Sequence, residues 1–181
     1  MSAGVPSEIT TRRAVPADAA LLAELGVATF TDTFAAHNTP ADMERYVSEA
    51  FGEEIQRAEL EDPDVTVFFA ERNGEAVGYV TLREGPAPPS VRGFDVLEIA
   101  RLYASAHAKG TGVGSTLMQR AIGEAAARGK EALWLGVWER NAHAIEFYRR
   151  WEFFEAGSQP FKLGEDQQND LVMVRRIARE S

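Results

Sequence analysis

The chain has 181 residues, 45% of them hydrophobic and 26% charged, with a formal net charge of -9. That length suits one domain, and the balance is that of a chain able to bury a core rather than a disordered one. The lack of cysteine excludes disulfides, thiolate-bound zinc and an acyl-cysteine intermediate, and the acidity argues against sequence-independent binding to nucleic acid.

Met1–Ile9 carries no basic segment leading into an apolar run, and no stretch of about 18 consecutive apolar residues follows anywhere. No leader and no membrane partner are read from this, and a cytoplasmic location is expected. Thr10 to Val15 reads as a strand ended by Pro16, after which Leu21, Leu22, Leu25 and Ala28 recur at helical spacing. Thr39 is placed to cap a further helix with Pro40 at its first position, and helical segments fill the stretch to about Leu60. Between Asp18 and Asp64 there are 12 acidic residues against only Arg45 and Arg57. That excess either attracts a cationic substrate or forms ordinary solvated helix faces.

Val65–Glu71 and Ala76–Leu82 flank Asn73-Gly74, a two-residue hairpin turn. A loop containing Gly85-Pro-Ala-Pro-Pro89 precedes Val96–Tyr103, whose apolar run fits a central strand buried on both faces. A helix follows Gly110–Gly114 and ends near Arg128-Gly129. Ala132–Val137 is the next strand, Asn141–Arg150 a helix, Phe153–Ala156 an extended piece, and Asp170–Ile177 a last strand that ends the sheet. The expected fold is a mixed α/β (α+β) domain spanning residues 1–181. Its largely antiparallel sheet of about six to seven strands carries helices on both faces.

The segment from Lys109 through Gly110, Thr111, Gly112, Val113, Gly114 and Ser115 places three alternating glycines where a buried strand turns into a helix. Glycine lets backbone approach a ligand closely, and the unpaired first N–H groups of the helix, those of Val113, Gly114 and Ser115, sit at the positive end of its dipole. A pyrophosphate suits such a place. The loop lacks the Gly-Lys-Ser/Thr ending of a P-loop, and its GxGxG spacing is not the GxGxxG of a dinucleotide site.

Leu102-Tyr103 followed by Lys109-Gly-Thr-Gly-Val-Gly114 resembles the (Gln/Arg)-x-x-Gly-x-(Gly/Ala) motif of the GCN5-related N-acetyltransferase (GNAT) superfamily, with Lys109 where Gln or Arg is usual. The resemblance implies that acetyl-CoA is the cosubstrate, that the loop amides hold its diphosphate, and that the strand Arg101-Leu102-Tyr103 accompanies its pantetheine. It also implies that the helix carrying Asn141, Ala144 and Tyr148 lies beside the cofactor, with Asn141 on the pantetheine arm and Tyr148 near the thioester sulfur. Asn141 and Tyr148 are seven residues apart and so share one helix face.

Tyr148 is the candidate acid for the departing thiolate, and Glu98, mid-strand, the candidate base for the incoming ammonium, acting through water. His37, His107 and His143 lack metal-ligand spacing, and no metal is expected.

Three further stretches look like the bacterial Pai-type spermidine/spermine acetyltransferases of this superfamily. They are Thr29–Phe34 with His37–Pro40, Leu133–Asn141 through Phe147-Tyr148, and Phe161–Asp166 with Asp170–Met173. They imply a small cationic amine, a polyamine or a related primary amine, as acceptor. Glu152 departs from the Gly-Phe pair common there. Other members acetylate protein amino termini, lysines, amino acids or antibiotics, and a non-catalytic acyl-CoA-binding module or a nucleotide-phosphate enzyme stands as the alternative class. Apolar strand edges near the C-terminus allow a monomer or a homodimer.

Overall fold

The computed structural model describes residues 8–179; the reading of Met1–Ile9 falls largely outside them. Among these residues seven strands form one sheet in the order β1-β2-β3-β4-β5-β7-β6, in which only the β4–β5 pair is parallel.

β1 (Thr10–Arg13) lies on the outer side of β2 (Val65–Arg72). β2 and β3 (Glu75–Arg83) form the expected hairpin, with Asn73 at φ 53 and Gly74 at φ 76, both left-handed as a type I′ turn requires. α1 (Ala19–Phe34) buries Leu22, Leu25, Gly26, Thr29 and Phe30, whereas Leu21 and Ala28 face outward, so its apolar stripe is rotated from the one the spacing suggested. The run Pro16–His37 is long and apolar enough, by length and composition, to cross a membrane. Here its apolar stripe packs against the sheet and against α2 (Pro40–Ala50) and α3 (Glu53–Glu61). Thr39 caps α2 as expected, its hydroxyl oxygen accepting the Asp42 N–H at 3.2 Å with Pro40 in the first turn.

α4 (Val113–Ala127) and α5 (Ala142–Arg150) cover the other face and share the largest core cluster with β3, β4 (Val96–Ala104) and β5 (Ala132–Trp138). The strand expected to end the sheet does not. β7 (Asp166–Arg176) is inserted between β5 and β6 (Phe154–Leu163), so β6 forms the edge. The short extended piece at Phe153–Ala156 is the start of that ten-residue strand, whose mixed exposure hid it from a search for alternation.

Glu152 keeps the turn after α5 without the glycine common there. It sits at φ 65, and the N–H groups of Glu152 and Phe153 donate to the carbonyls of Arg149 and Tyr148, both at 3.0 Å. A left-handed non-glycine residue costs about 1–2 kcal/mol, partly offset by the larger unfolded-state entropy of glycine at about 0.4–1 kcal/mol. The Arg175–Glu152 ion pair at 3.2 Å, with the carboxylate exposed and Arg175 also donating to the Trp151 carbonyl, adds little. Glu152→Gly is therefore expected to stabilise the protein by about 0.5–1 kcal/mol, a rise of roughly 1–4 °C in thermal unfolding.

Candidate active site

β4 and β5 pair only from Val96↔Ala132 to Glu98↔Trp134. β4 then carries a bulge, because Thr81 and Leu82 of β3 face Arg101 and Ile99 and leave Ala100 extra. The bulge turns the strand, and β4 and β5 splay apart. Ile99–Ala104 on one side and Leu135–Trp138 on the other line the resulting gap, which opens into a cavity of about 630 Å³.

At the α4 end the cavity is lined by Lys109, Gly110, Gly112, Gly114 and Ser115. Gly110 and Gly112 have φ of 75 and 94, conformations that favour glycine, and Gly112 is the N-cap of α4 with no side-chain cap. The first N–H groups of α4 are thus left for a ligand. Two residues of the motif send their side chains elsewhere. Val113 is buried in the core, and the Thr111 hydroxyl donates to the Ala108 carbonyl at 2.5 Å and accepts from Arg72 at 2.9 Å. Only their backbones can serve the cavity. The Lys109 ammonium donates to Asp32 of α1 at 2.5 Å, which offsets its charge.

α5 brings Asn141, His143, Ala144, Phe147 and Tyr148 to the cavity. Asn141 is not within the helix, as the face argument assumed, but caps it. Its side-chain oxygen accepts the Ala144 N–H at 3.2 Å, so only its NH2 group is free to donate to a ligand. Tyr148 is buried between Phe147 and Phe153, with ring centroids at 5.5 and 5.7 Å, and burial pushes its phenol up to about 12.

On the opposite face of the sheet the cavity is walled by Phe30, Phe34, Tyr46, Trp138 and Phe161 in continuous ring contact. Centroid distances are 4.5 Å for Phe30–Phe34 and Phe30–Tyr46, 5.6 Å for Phe34–Trp138 and 5.7 Å for Tyr46–Phe161. Glu98 reaches this side. Burial raises its carboxyl, opposed by Arg83, at 3.9 Å, and by Arg101. The Arg101 side chain is held by Glu59 of α3 at 3.0 and 3.1 Å and lies over the Phe51 ring. Part of the acidic excess of the first half is taken up in such pairs, including Asp18 with Arg12, Asp32 with Lys109 and Glu53 with Arg57. Among the described residues no three His, Asp or Glu side chains converge as a metal site.

The profile of the acetyltransferase (GNAT) family matches residues 29–153. This chain belongs to that family. An uncharacterized N-acetyltransferase from the pepI 3′ region of Lactobacillus delbrueckii subsp. lactis is 31% identical over 149 residues, 82% of this chain and 86% of the relative. Two solved structures share the fold. The PaiA N-acetyltransferase of Thermoplasma acidophilum in complex with coenzyme A has TM-score 0.76 at 18% identity, covering 93% of this chain and 99% of that one. YncA of Salmonella typhimurium, solved with its cofactor acetyl-CoA, has TM-score 0.66 at 23% identity over 97% of both chains. This GNAT chain is accordingly an acetyl-CoA-dependent N-acetyltransferase, and its uncapped α4 terminus and split sheet fit a donor with a diphosphate at one end and a long thin arm.

Sequence reasoning missed Asp170, Gly136 and the aromatic wall. A glycine inside a strand signals close approach of another group but does not name it, and Asp170 gives no signal of its own because it closes the polar run that begins β7.

Proposed function

We propose that this chain transfers acetyl from acetyl-CoA directly to a primary amine carrying positive charge, a polyamine such as spermidine. The observation that carries this reading is the continuity of the cavity. It runs from the amides of α4, through the gap between β4 and β5, to an aromatic wall with a half-buried carboxylate.

In this reading the N–H groups of Val113, Gly114 and Ser115 hold the diphosphate. The freed edge of β4 at Arg101, Leu102 and Tyr103 orients the pantetheine arm, with Asn141 and Ala144 across from it. A β4 N–H steadies the charge that develops on the thioester oxygen, Glu98 takes the proton of the ammonium through water, and the amine displaces the thiol beside Tyr148.

The test is consumption of acetyl-CoA against a panel of neutral, monocationic and polycationic amines. Turnover that favours polyamines supports the proposal, and turnover confined to neutral amines or peptide amino termini overturns it. Because Asp32 already holds Lys109, the amides carry most of the grip. Lys109→Ala is expected to raise the KM for acetyl-CoA by no more than about fivefold, the range of an exposed charge contact.

A further inference from the structure

Asp170 lines the acceptor side of the cavity, half-buried, and among the described residues no cation and no hydrogen-bond donor meets its carboxylate. The other carboxylates nearby are compensated: Glu59 by Arg101 and Arg83, Glu98 by Arg83. Burial alone pushes the Asp170 carboxyl up to about 6. An uncompensated, half-buried carboxylate lowers stability, and packing would favour an apolar residue such as the Val172 and Val174 that follow on its face of β7, where the polar half of the strand ends.

The neighbouring strand makes room for it. A Cβ at Gly136 of β5 would stand 3.1 Å from the Asp170 Oδ2 and 3.0 Å from the Gln159 Nε2. Trp138, opposite Asp170 on β5, belongs to the aromatic wall, and rings of this kind also attract cations. Glu98 lies beside Trp134 and Asp170 beside Trp138. Those positions are four residues along β5, about 13 Å at the rise of a strand.

We propose that Asp170 anchors a second positive centre of the acceptor, remote from the amine that is acetylated, so that the site selects extended di- and polyamines over monoamines. The inference rests on the reading of this cavity as an amine acetyltransferase site and adds the residue that sets acceptor choice. One cation sits on Asp170 against the rings of Trp138 and Tyr46, and the chain of methylenes lies along the aromatic wall to the gap between β4 and β5.

Calorimetric titration of spermidine into the CoA-saturated protein, paired with acetylation kinetics for spermidine and butylamine, tests it. Asp170→Asn keeps the shape and removes the charge. It is expected to weaken spermidine binding and raise its KM about 10- to 100-fold, the range of one charge-assisted contact. Its kcat, its KM for acetyl-CoA and its KM for butylamine are expected to stay within about twofold of the wild type. Gly136→Ala keeps the charge but crowds it, and an intermediate loss for spermidine is expected, larger than any loss for butylamine.

In the wild type, spermidine affinity falls as pH drops through about 6, and Asp170→Asn loses that dependence. The titratable group facing Asp170 from α2 is Tyr46, raised by burial and sensitive to Arg101 and Asp170, and just after α1 His37 packs edge-on to the Trp138 ring at 5.4 Å; β5 presents Gly136 and Trp138 and β6 presents Gln159, none of which titrates.

Spermidine binding unchanged by Asp170→Asn, or absent from the wild type, overturns the anchor even if monoamines are acetylated. An equal fall in kcat for both amines also overturns it, since that marks a proton acceptor. Asp170-dependent binding of spermidine without acetylation of any amine sustains the anchor and sinks the transfer reading instead.

Discussion

Tyr148→Phe is expected to lower kcat about 10- to 100-fold while leaving the KM for acetyl-CoA within about twofold. Phe147 and Phe153 fix the ring, so phenylalanine fills the same space and only the hydroxyl is lost. The phenol, pushed up to about 12 by burial, stays protonated at every working pH. Against a thiol of pKa about 8.5, complete transfer of its proton is uphill by roughly 5 kcal/mol. In the proposed reaction the hydroxyl would therefore act by donating a hydrogen bond to sulfur as negative charge develops there, an interaction made mainly in the transition state. The predicted loss falls on kcat for that reason. Steady-state thiol release checks it over pH 6 to about 10, where the wild type should show no limb assignable to Tyr148, because deprotonation would begin only near its raised value. An unchanged kcat, or a loss confined to KM, would remove Tyr148 from the chemistry.

The α4 and α5 lining of the cavity, where the donor is proposed to sit, was legible in the sequence because its constraints are local. Glycines that must adopt φ of 75 and 94 before a helix lie within a few residues of one another, and so do Asn141, Ala144 and Tyr148. Asn73-Gly74 and Thr39-Pro40 were readable on the same ground, since each is a backbone requirement met by its own residues. The aromatic side, where the acceptor is proposed to bind, was not legible, because it depends on strand order. Asp170 meets Gly136 only because β7 enters between β5 and β6, and Phe161 reaches Tyr46 only because the edge strand runs on to Leu163. Periodicity reports which way a side chain points along its own strand but not which strand lies beside it. The rotated stripe of α1 has a related cause: Leu21 and Leu22 are equally apolar, and only the position of the sheet decides that Leu22 is the buried one.

The same substitution at two glycines should have opposite signs, and the difference probes how the proposed diphosphate site is held. Gly78 of β3 lies under the first turn of α4. A Cβ there would stand 2.7 Å from the Tyr103 carbonyl oxygen, 2.7 Å from the Val113 Cγ1 and 3.2 Å from the Leu117 Cδ1. The carbonyl belongs to β4 backbone and cannot yield, and Val113 and Leu117 are almost wholly buried, so relief must come from moving the start of α4 away from the sheet. Gly78→Ala is expected to destabilise by about 2–4 kcal/mol, roughly 4–16 °C in thermal unfolding. It should also weaken acetyl-CoA binding about tenfold, because a small displacement misaims the amides of Val113, Gly114 and Ser115. Gly123 lies in the same helix, and a methyl group added there would meet nothing within 4 Å, so Gly123→Ala should stabilise by about 0.5–1 kcal/mol without touching affinity. Thermal unfolding with and without CoA separates the two effects. The rise in Tm on adding CoA should shrink for Gly78→Ala and persist for Gly123→Ala, whereas an equal rise in both would show that the grip on the donor does not depend on where β3 seats α4.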